Sequence, residues 1–161
     1  MASTTTTTTT LVSSLLYHGE SDLTDIRPDI LSYGVSDFTE RMEESEDIIN
    51  RKLDQAWYRN IAINHGLNWQ TTPFDPTLVL EGEAEVGRCA CYKSLELIYL
   101  HLMKEAIEPD AFQKQMELFA KLYKAELGEV LLAGISYDWN KSGEIDPGEN
   151  SVPSVRRLVR V

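Results

Sequence analysis

Enzyme signatures are what this 161-residue sequence most plainly lacks. It has no Gly-rich phosphate loop, no G-x-S-x-G turn and no H-E-x-x-H pair, and its three histidines, His18, His65 and His101, are scattered. Each histidine reads as a surface or capping residue, and no residue is nominated as catalytic. Cysteine is scarce too. Cys89 and Cys91 stand two residues apart, on different faces of the helix expected there, so they neither bridge each other nor form a C-x-x-C pair. They read as two small buried hydrophobes in a reducing compartment. Basic residues are outnumbered: 15 Lys plus Arg face 26 Asp plus Glu, a net charge of -11 that repels phosphate backbones and argues against a general nucleic-acid binder. No apolar run approaches membrane-spanning length, and the amino terminus lacks the basic-then-apolar layout of a secretory signal. The expectation is an intracellular protein, or one belonging to a particle assembled inside a cell, with no membrane partner.

What is present is helical periodicity. A chain of this length supports one domain with its own core. Its fold class is expected to be mainly α, a small helical bundle with an extended carboxy-terminal arm and a mobile amino-terminal tail. Four segments are expected: a Thr-rich mobile arm over residues 1–21, the bundle over 22–135, an EF-hand-like loop over 136–150 and a basic arm over 151–161.

The organising stretch is a helix over residues 84–106. Ala84, Cys91, Leu95, Ile98, Leu102 and Ala106 form one stripe, while Cys89, Leu97 and Leu100 point roughly the other way. A helix apolar on two sides is normally covered on two sides. The cover is either the rest of this chain or, on one side, a neighbouring subunit.

In chain order, the run of seven threonines over residues 4–10 buries too little apolar surface to offset its ordering entropy, so it reads as a disordered tail or as an arm that becomes extended against a partner. Pro28 then forbids a long helix across residues 23–31, and a short helical turn ending at Gly34 is expected. Ser36 is the expected N-cap of a long helix running to Ile63 and closed by Gly66 in the left-handed conformation. Its apolar stripe is Phe38, Met42, Ile49, Leu53 and Ala56, flanked by Ile48 and Trp57. Opposite lie Glu40, Glu43, Glu44, Asp47 and Asp54, broken by Arg51, which reads as a solvated face or as a wall meeting a channel or charged partner. Trp69, Pro73, Phe74, Asp75 and Pro76 fall in an irregular segment expected to fold back on the core, with Asp75 capping a short turn that has Pro76 in first position. A last helix, with Pro109 in its first turn, carries Phe112, Met116, Phe119, Tyr123, Leu127, Val130 and Gly134 at three- and four-residue steps and should pack antiparallel to the central helix.

One stretch carries explicit chemistry. Residues 138–149 match the twelve-residue EF-hand calcium loop: Asp138, Asn140 and Ser142 at positions 1, 3 and 5, Gly143 at 6, the Glu144 carbonyl at 7, Ile145 at 8, Asp146 at 9 and Glu149 at 12. A hard cation needs that many oxygens, and glycine permits the turn. The cofactor this pattern suggests is calcium. Against it stand Pro153, which stops an exiting helix, and the lack of a second copy; the other reading is a polar turn needing no metal. Beyond it, Arg156, Arg157, Leu158, Val159 and Arg160 form an extended basic arm without an acid, suited to pairing with a partner's sheet edge or carboxylates, or to docking on its own domain.

The order of these features resembles one family. Leu23-Thr24-Asp25-Ile26-Arg27-Pro28-Asp29-Ile30-Leu31, the helix with Ser45-Glu46-Asp47-Ile48-Ile49-Asn50-Arg51-Lys52-Leu53 and Trp57-Tyr58, Phe74-Asp75-Pro76, Ala90-Cys91-Tyr92-Lys93-Ser94-Leu95-Glu96-Leu97-Ile98-Tyr99, Tyr137-Asp138 and Arg156-Arg157-Leu158-Val159-Arg160 together look like a head-to-tail adaptor (neck, or connector) protein of tailed bacteriophages. The resemblance spans residues 22–161; the Thr tract and the complete calcium-like loop are not part of its pattern. It implies a non-enzymatic virion protein of the neck, assembled in the host cytoplasm. It further implies a homo-oligomeric ring, commonly a dodecamer, beneath the portal protein. Such a ring extends a DNA channel without sequence-specific binding and docks a stopper or tail protein. The basic arm would engage the portal. Two other classes stay open: a calcium-responsive binding module using residues 138–149, and an enzyme with an unrecognised site among the acids of the first long helix.

Overall fold

A computed structural model describes residues 15–33, 38–105, 110–147 and 150–151. The expected Thr tract, the Gly34 terminus, the Ser36 cap, Ala106, Pro109, Glu149 and the basic arm with Arg156, Arg157, Leu158, Val159 and Arg160 lie outside the described residues.

The first helix, α1 (Glu20–Ile26), has Glu20 and Asp22 in its first turn, where they complement the helix dipole, and Asp22 accepts the Gly19 N–H at 2.7 Å. It stops at Arg27, whose φ of -136 and ψ of 84 are the extended backbone that a following proline imposes. The expected short helical turn is present as a 3-10 turn at Ile30–Tyr33. The expectation of a mobile arm over residues 1–21 is corrected at its carboxy-terminal end: Tyr17 is 1% exposed and sits in the core, and His18 is 6% exposed. The apolar signal of Leu15, Leu16 and Tyr17 beside the threonines is too short to show periodicity.

The long helix is α2 (Thr39–Leu53), preceded by Phe38 as its N-cap residue, with no side-chain cap bond. It continues through a π-helical turn, Asp54–Tyr58, into α3 (Arg59–Ala62) and a 3-10 turn that Gly66 closes at φ 73. Phe38, Met42, Ile49 and Leu53 are buried as expected. Ala56 is exposed, and Trp57, Tyr58, Ile61 and Ala62 take the core positions. The extra residue of the π turn rotates the remainder of the helix, so Leu53 and Tyr58, five apart, face the same core.

Helix α4 (Gly82–Glu105) runs through the middle. Cys89, Cys91, Leu95, Leu97, Ile98 and Leu102 are all buried, Leu100 is half-buried, and Ala84 is exposed, so the expected stripe is buried from Cys91 rather than from Ala84. Both cysteines are free thiols. Helix α5 (Asp110–Ala133) buries Phe119, Tyr123 and Val130. Tyr99 stacks on Phe119 and meets Phe112, Tyr92 meets Phe119 and Lys93 lies over Tyr123. Numbers rise on one helix as they fall on the other, which makes the pair antiparallel.

Two residues on from Tyr92, Ser94 faces the other way and bonds Ser45 of α2 at 2.8 Å. At about 100° per residue, Ser94 is about 140° around α4 from Tyr99 and about 160° from Tyr92. The layers therefore run α2, α4, α5, and both apolar sides of α4 are covered within one chain. Beyond α5, two short strands, β1 (Ile135–Ser136) and β2 (Asn150–Ser151), pair antiparallel with Ile135 opposite Ser151.

Candidate functional site

The loop between β1 and β2 holds the residues read as a calcium site. Helix α5 stops where Gly134 takes φ 84, with its N–H on the Val130 carbonyl. The Ser136 N–H and hydroxyl both donate to Glu85 of α4, at 2.9 and 2.7 Å. Further on, the Asp138 N–H donates to the Leu78 carbonyl at 2.9 Å. These bonds fix the loop's base against α4 and the 3-10 turn Pro76–Leu78, where Asp75 accepts the Thr77 N–H as the expected cap. An aromatic cluster floors it: Trp139 stacks on Tyr58 and on His65, and Tyr137 packs against Phe74 and Trp57.

Within the loop the expected turn forms. Gly143 has φ 78, and Asp138, 3% exposed, accepts the N–H groups of Ser142 at 2.9 Å and Gly143 at 2.7 Å. Asn140 accepts from the Ser142 N–H and donates its amide to Asp146 at 2.7 Å, while the Ser142 hydroxyl lies 3.1 Å from the Glu144 carbonyl and 3.4 Å from Asp146. Backbone N–H groups thus occupy both Asp138 oxygens, and among the described residues no three His, Cys, Asp or Glu side chains gather to hold a metal. The loop is entered by β1 and left by β2 rather than flanked by the two helices of an EF-hand. Gly134 ends α5 two residues before Ser136 docks on Glu85, and that anchor diverts the chain.

A second constellation is not legible in the sequence. His18 Nε2 lies 2.7 Å from Ser94 Oγ, which also bonds Ser45, and His18 Nδ1 lies 3.4 Å from Glu46 Oε1. The order of contacts is that of a serine, histidine and carboxylate relay, but Ser94 is fully buried. With no route for a substrate to the hydroxyl, the network acts as a polar clamp joining residues 16–18 to α2 and α4. It corrects the reading of His18 as a surface or capping residue. The only sequence signal is Glu46 falling on the apolar side of α2.

The acidic residues Glu40, Glu43, Glu44 and Asp47 lie on the exposed side of α2. Asp54 is half-buried and pairs with Arg59, whose guanidinium lies 4.7 Å over the Trp69 ring. Asp47, Arg51, Asp54, Arg59, Trp69 and Phe74 border an open groove of about 770 Å³. Of its charged residues Asp54 and Arg59 form an ion pair, while Arg51 Nε donates to the Asp47 backbone carbonyl at 3.2 Å. Among the described residues, no helix is long and apolar enough to cross a membrane. Compared with protein-family models, curated proteins and solved structures, the chain shows no match.

Proposed function

We propose that this chain is a structural virion protein, a head-to-tail adaptor that forms a ring beneath the portal, extends the DNA channel and docks the next neck or tail protein. The observation that carries this reading is the order of motifs along residues 22–161, joined to a mainly helical bundle in which the described motifs fall on successive elements around α4. The acidic balance of -11 supports it, because a negative lumen lets a duplex slide rather than bind. Within this reading the protein has no catalytic role, resides in the neck of the particle and is assembled in the host cytoplasm. The test is native mass spectrometry of the full chain with the candidate portal, beside a chain lacking residues 154–161. Portal binding that survives the deletion would remove the role given to Arg156, Arg157, Leu158, Val159 and Arg160.

A calcium-responsive module is the second reading, supported by Gly143 at φ 78 and by the Ser142, Glu144 and Asp146 oxygens on one side of the turn. Calcium would be held there with Asn140, Asp138 and Glu149. A melting temperature indifferent to calcium, in the intact chain, would eliminate it.

A further inference from the structure

The buried clamp that holds residues 16–18 has its protons fixed by what each atom faces. His18 and Glu46 are 6% and 7% exposed, and Ser45 and Ser94 are fully buried. His18 Nδ1 is shut off from solvent and faces Glu46 Oε1 at 3.4 Å. A bare ring nitrogen would turn its lone pair on that carboxylate while shielded from water, so Nδ1 carries a proton. The other ring nitrogen, Nε2, lies 2.7 Å from Ser94 Oγ and can either give or take.

Two hydroxyls make both states of the ring acceptable. When the ring is neutral, Nε2 is bare: Ser94 donates to it, and Ser45, 2.8 Å from Ser94, donates to Ser94. When the ring takes a second proton, Nε2 donates to Ser94 instead. Ser94 then turns its proton to Ser45, and Ser45 turns its own to the Met42 carbonyl, 2.8 Å away. One proton enters at Nε2, two hydroxyls rotate, and each of these buried donors still meets an acceptor. Neither rotation touches Glu46, which goes on accepting from the Leu16 and Tyr17 N–H groups.

Protonating Glu46 has a different effect. It removes the charge that holds two backbone N–H groups and the Nδ1 proton at once, and it brings a donor into a site already made of donors. Among the described residues, the ionisable groups acting on this carboxylate are His18 and, through its field, the Tyr17 hydroxyl, which donates to Asn50 Oδ1 at 2.6 Å. To the same clamp α4 contributes the uncharged Ser94 hydroxyl.

We propose that residues 15–18 form an acid-operated strap with one trigger, the Glu46 carboxylate, and that the Ser94 and Ser45 hydroxyls insulate the strap from the titration of His18. Opening uncovers the trough along α4 that Tyr17 fills: its ring lies 2.7 Å from where a Cβ on Gly82 would sit, and its carbonyl oxygen 2.7 Å from one on Gly87. The device needs no partner and stands apart from the adaptor reading.

NMR of the full chain tests it, following the His18 ring nitrogens and the hydrogen-exchange protection of the Leu16 and Tyr17 amides as pH falls from about 8 to about 3. Nδ1 should be protonated throughout. Protection should stay within about twofold while the ring takes its second proton, then fall about tenfold or more as Glu46 titrates. In Ser94→Ala the second proton on Nε2 has no acceptor, so protection should fall already with the ring's titration. A bare Nδ1 in the neutral ring, wild-type protection that falls with the ring's titration, or a loss confined to the Glu46 step in Ser94→Ala would each overturn the proposal. Should Ser94→Ala be misfolded by circular dichroism, the two wild-type readings decide alone.

Discussion

The N–H of Tyr17 donates to Glu46 Oε1 at 2.9 Å, so a backbone group near the amino end is satisfied by a carboxylate in the middle of α2. The Leu16 N–H adds contacts of 3.0 Å to both oxygens of the same carboxylate. This arrangement makes a strap of residues 15–18 part of the fold, and several measurable properties depend on it.

Acid should release the strap. Burial alone raises a carboxyl pKa, but the contact with His18 and the N–H donors of Leu16 and Tyr17 outweigh it, and Glu46 titrates below its ordinary 4.5. A carboxyl with a lowered folded pKa stabilises the fold above its unfolded value, and that contribution fades as pH falls through the folded one. Stability should therefore drop as pH falls below 4.5, and part of that slope should vanish in Glu46→Gln. At neutral pH the variant should lose roughly 1–3 kcal/mol in denaturant titrations, with faster amide exchange at Leu16 and Tyr17. Identical slopes for the two proteins would show that Glu46 does not control the strap.

Glycine at 87 is required by the strap's approach to α4. An added Cβ there would sit 2.7 Å from the Tyr17 carbonyl oxygen, a backbone atom that cannot swing aside. Gly87→Ala should cost roughly 1–3 kcal/mol. Gly128→Ala meets nothing within 4 Å and should stabilise α5 by about 0.5–1 kcal/mol. Thermal melts of the pair decide it; equal shifts in the two would refute the close approach.

Both cysteines should be inert in the folded protein. Burial pushes the Cys89 and Cys91 thiols up to about 12, so neither offers thiolate near neutral pH. Neither should react with a thiol reagent until denaturant is added, after which both should react. Rapid labelling of the native protein would contradict the packing of α4.

Removing the Asp138 carboxylate should loosen the hairpin loop without unfolding the bundle. Asp138→Ala strips the acceptor from two N–H groups, and Gly143→Ala forces φ 78 on a side chain, at roughly 1 kcal/mol. Amide exchange at Ser142 and Gly143 should accelerate in both variants while α4 stays protected. Unchanged exchange in Asp138→Ala would mean that the loop is held from elsewhere.

The sequence by itself determined the helices and the order in which they succeed one another. Periodicity located α4 and α5, the core stripe of α2, the Gly66 closure and the Asp75-Pro76 cap, because these depend on residues within a few turns of each other. It also carried the Asp138 to Gly143 turn, a matter of local backbone chemistry. Tertiary structure decided what needed distant partners. Glu46 and His18 became a buried clamp only because residues 16–18 lie against α2 and α4. The π turn brought Trp57 and Tyr58 into the core in place of Ala56, since packing against Tyr137 and Trp139 outweighs a regular helix. Ser136 found Glu85, 51 residues away, and so fixed the base of the loop against α4. None of these pairings is written at a fixed spacing along the chain, so only the folded arrangement of layers could select them.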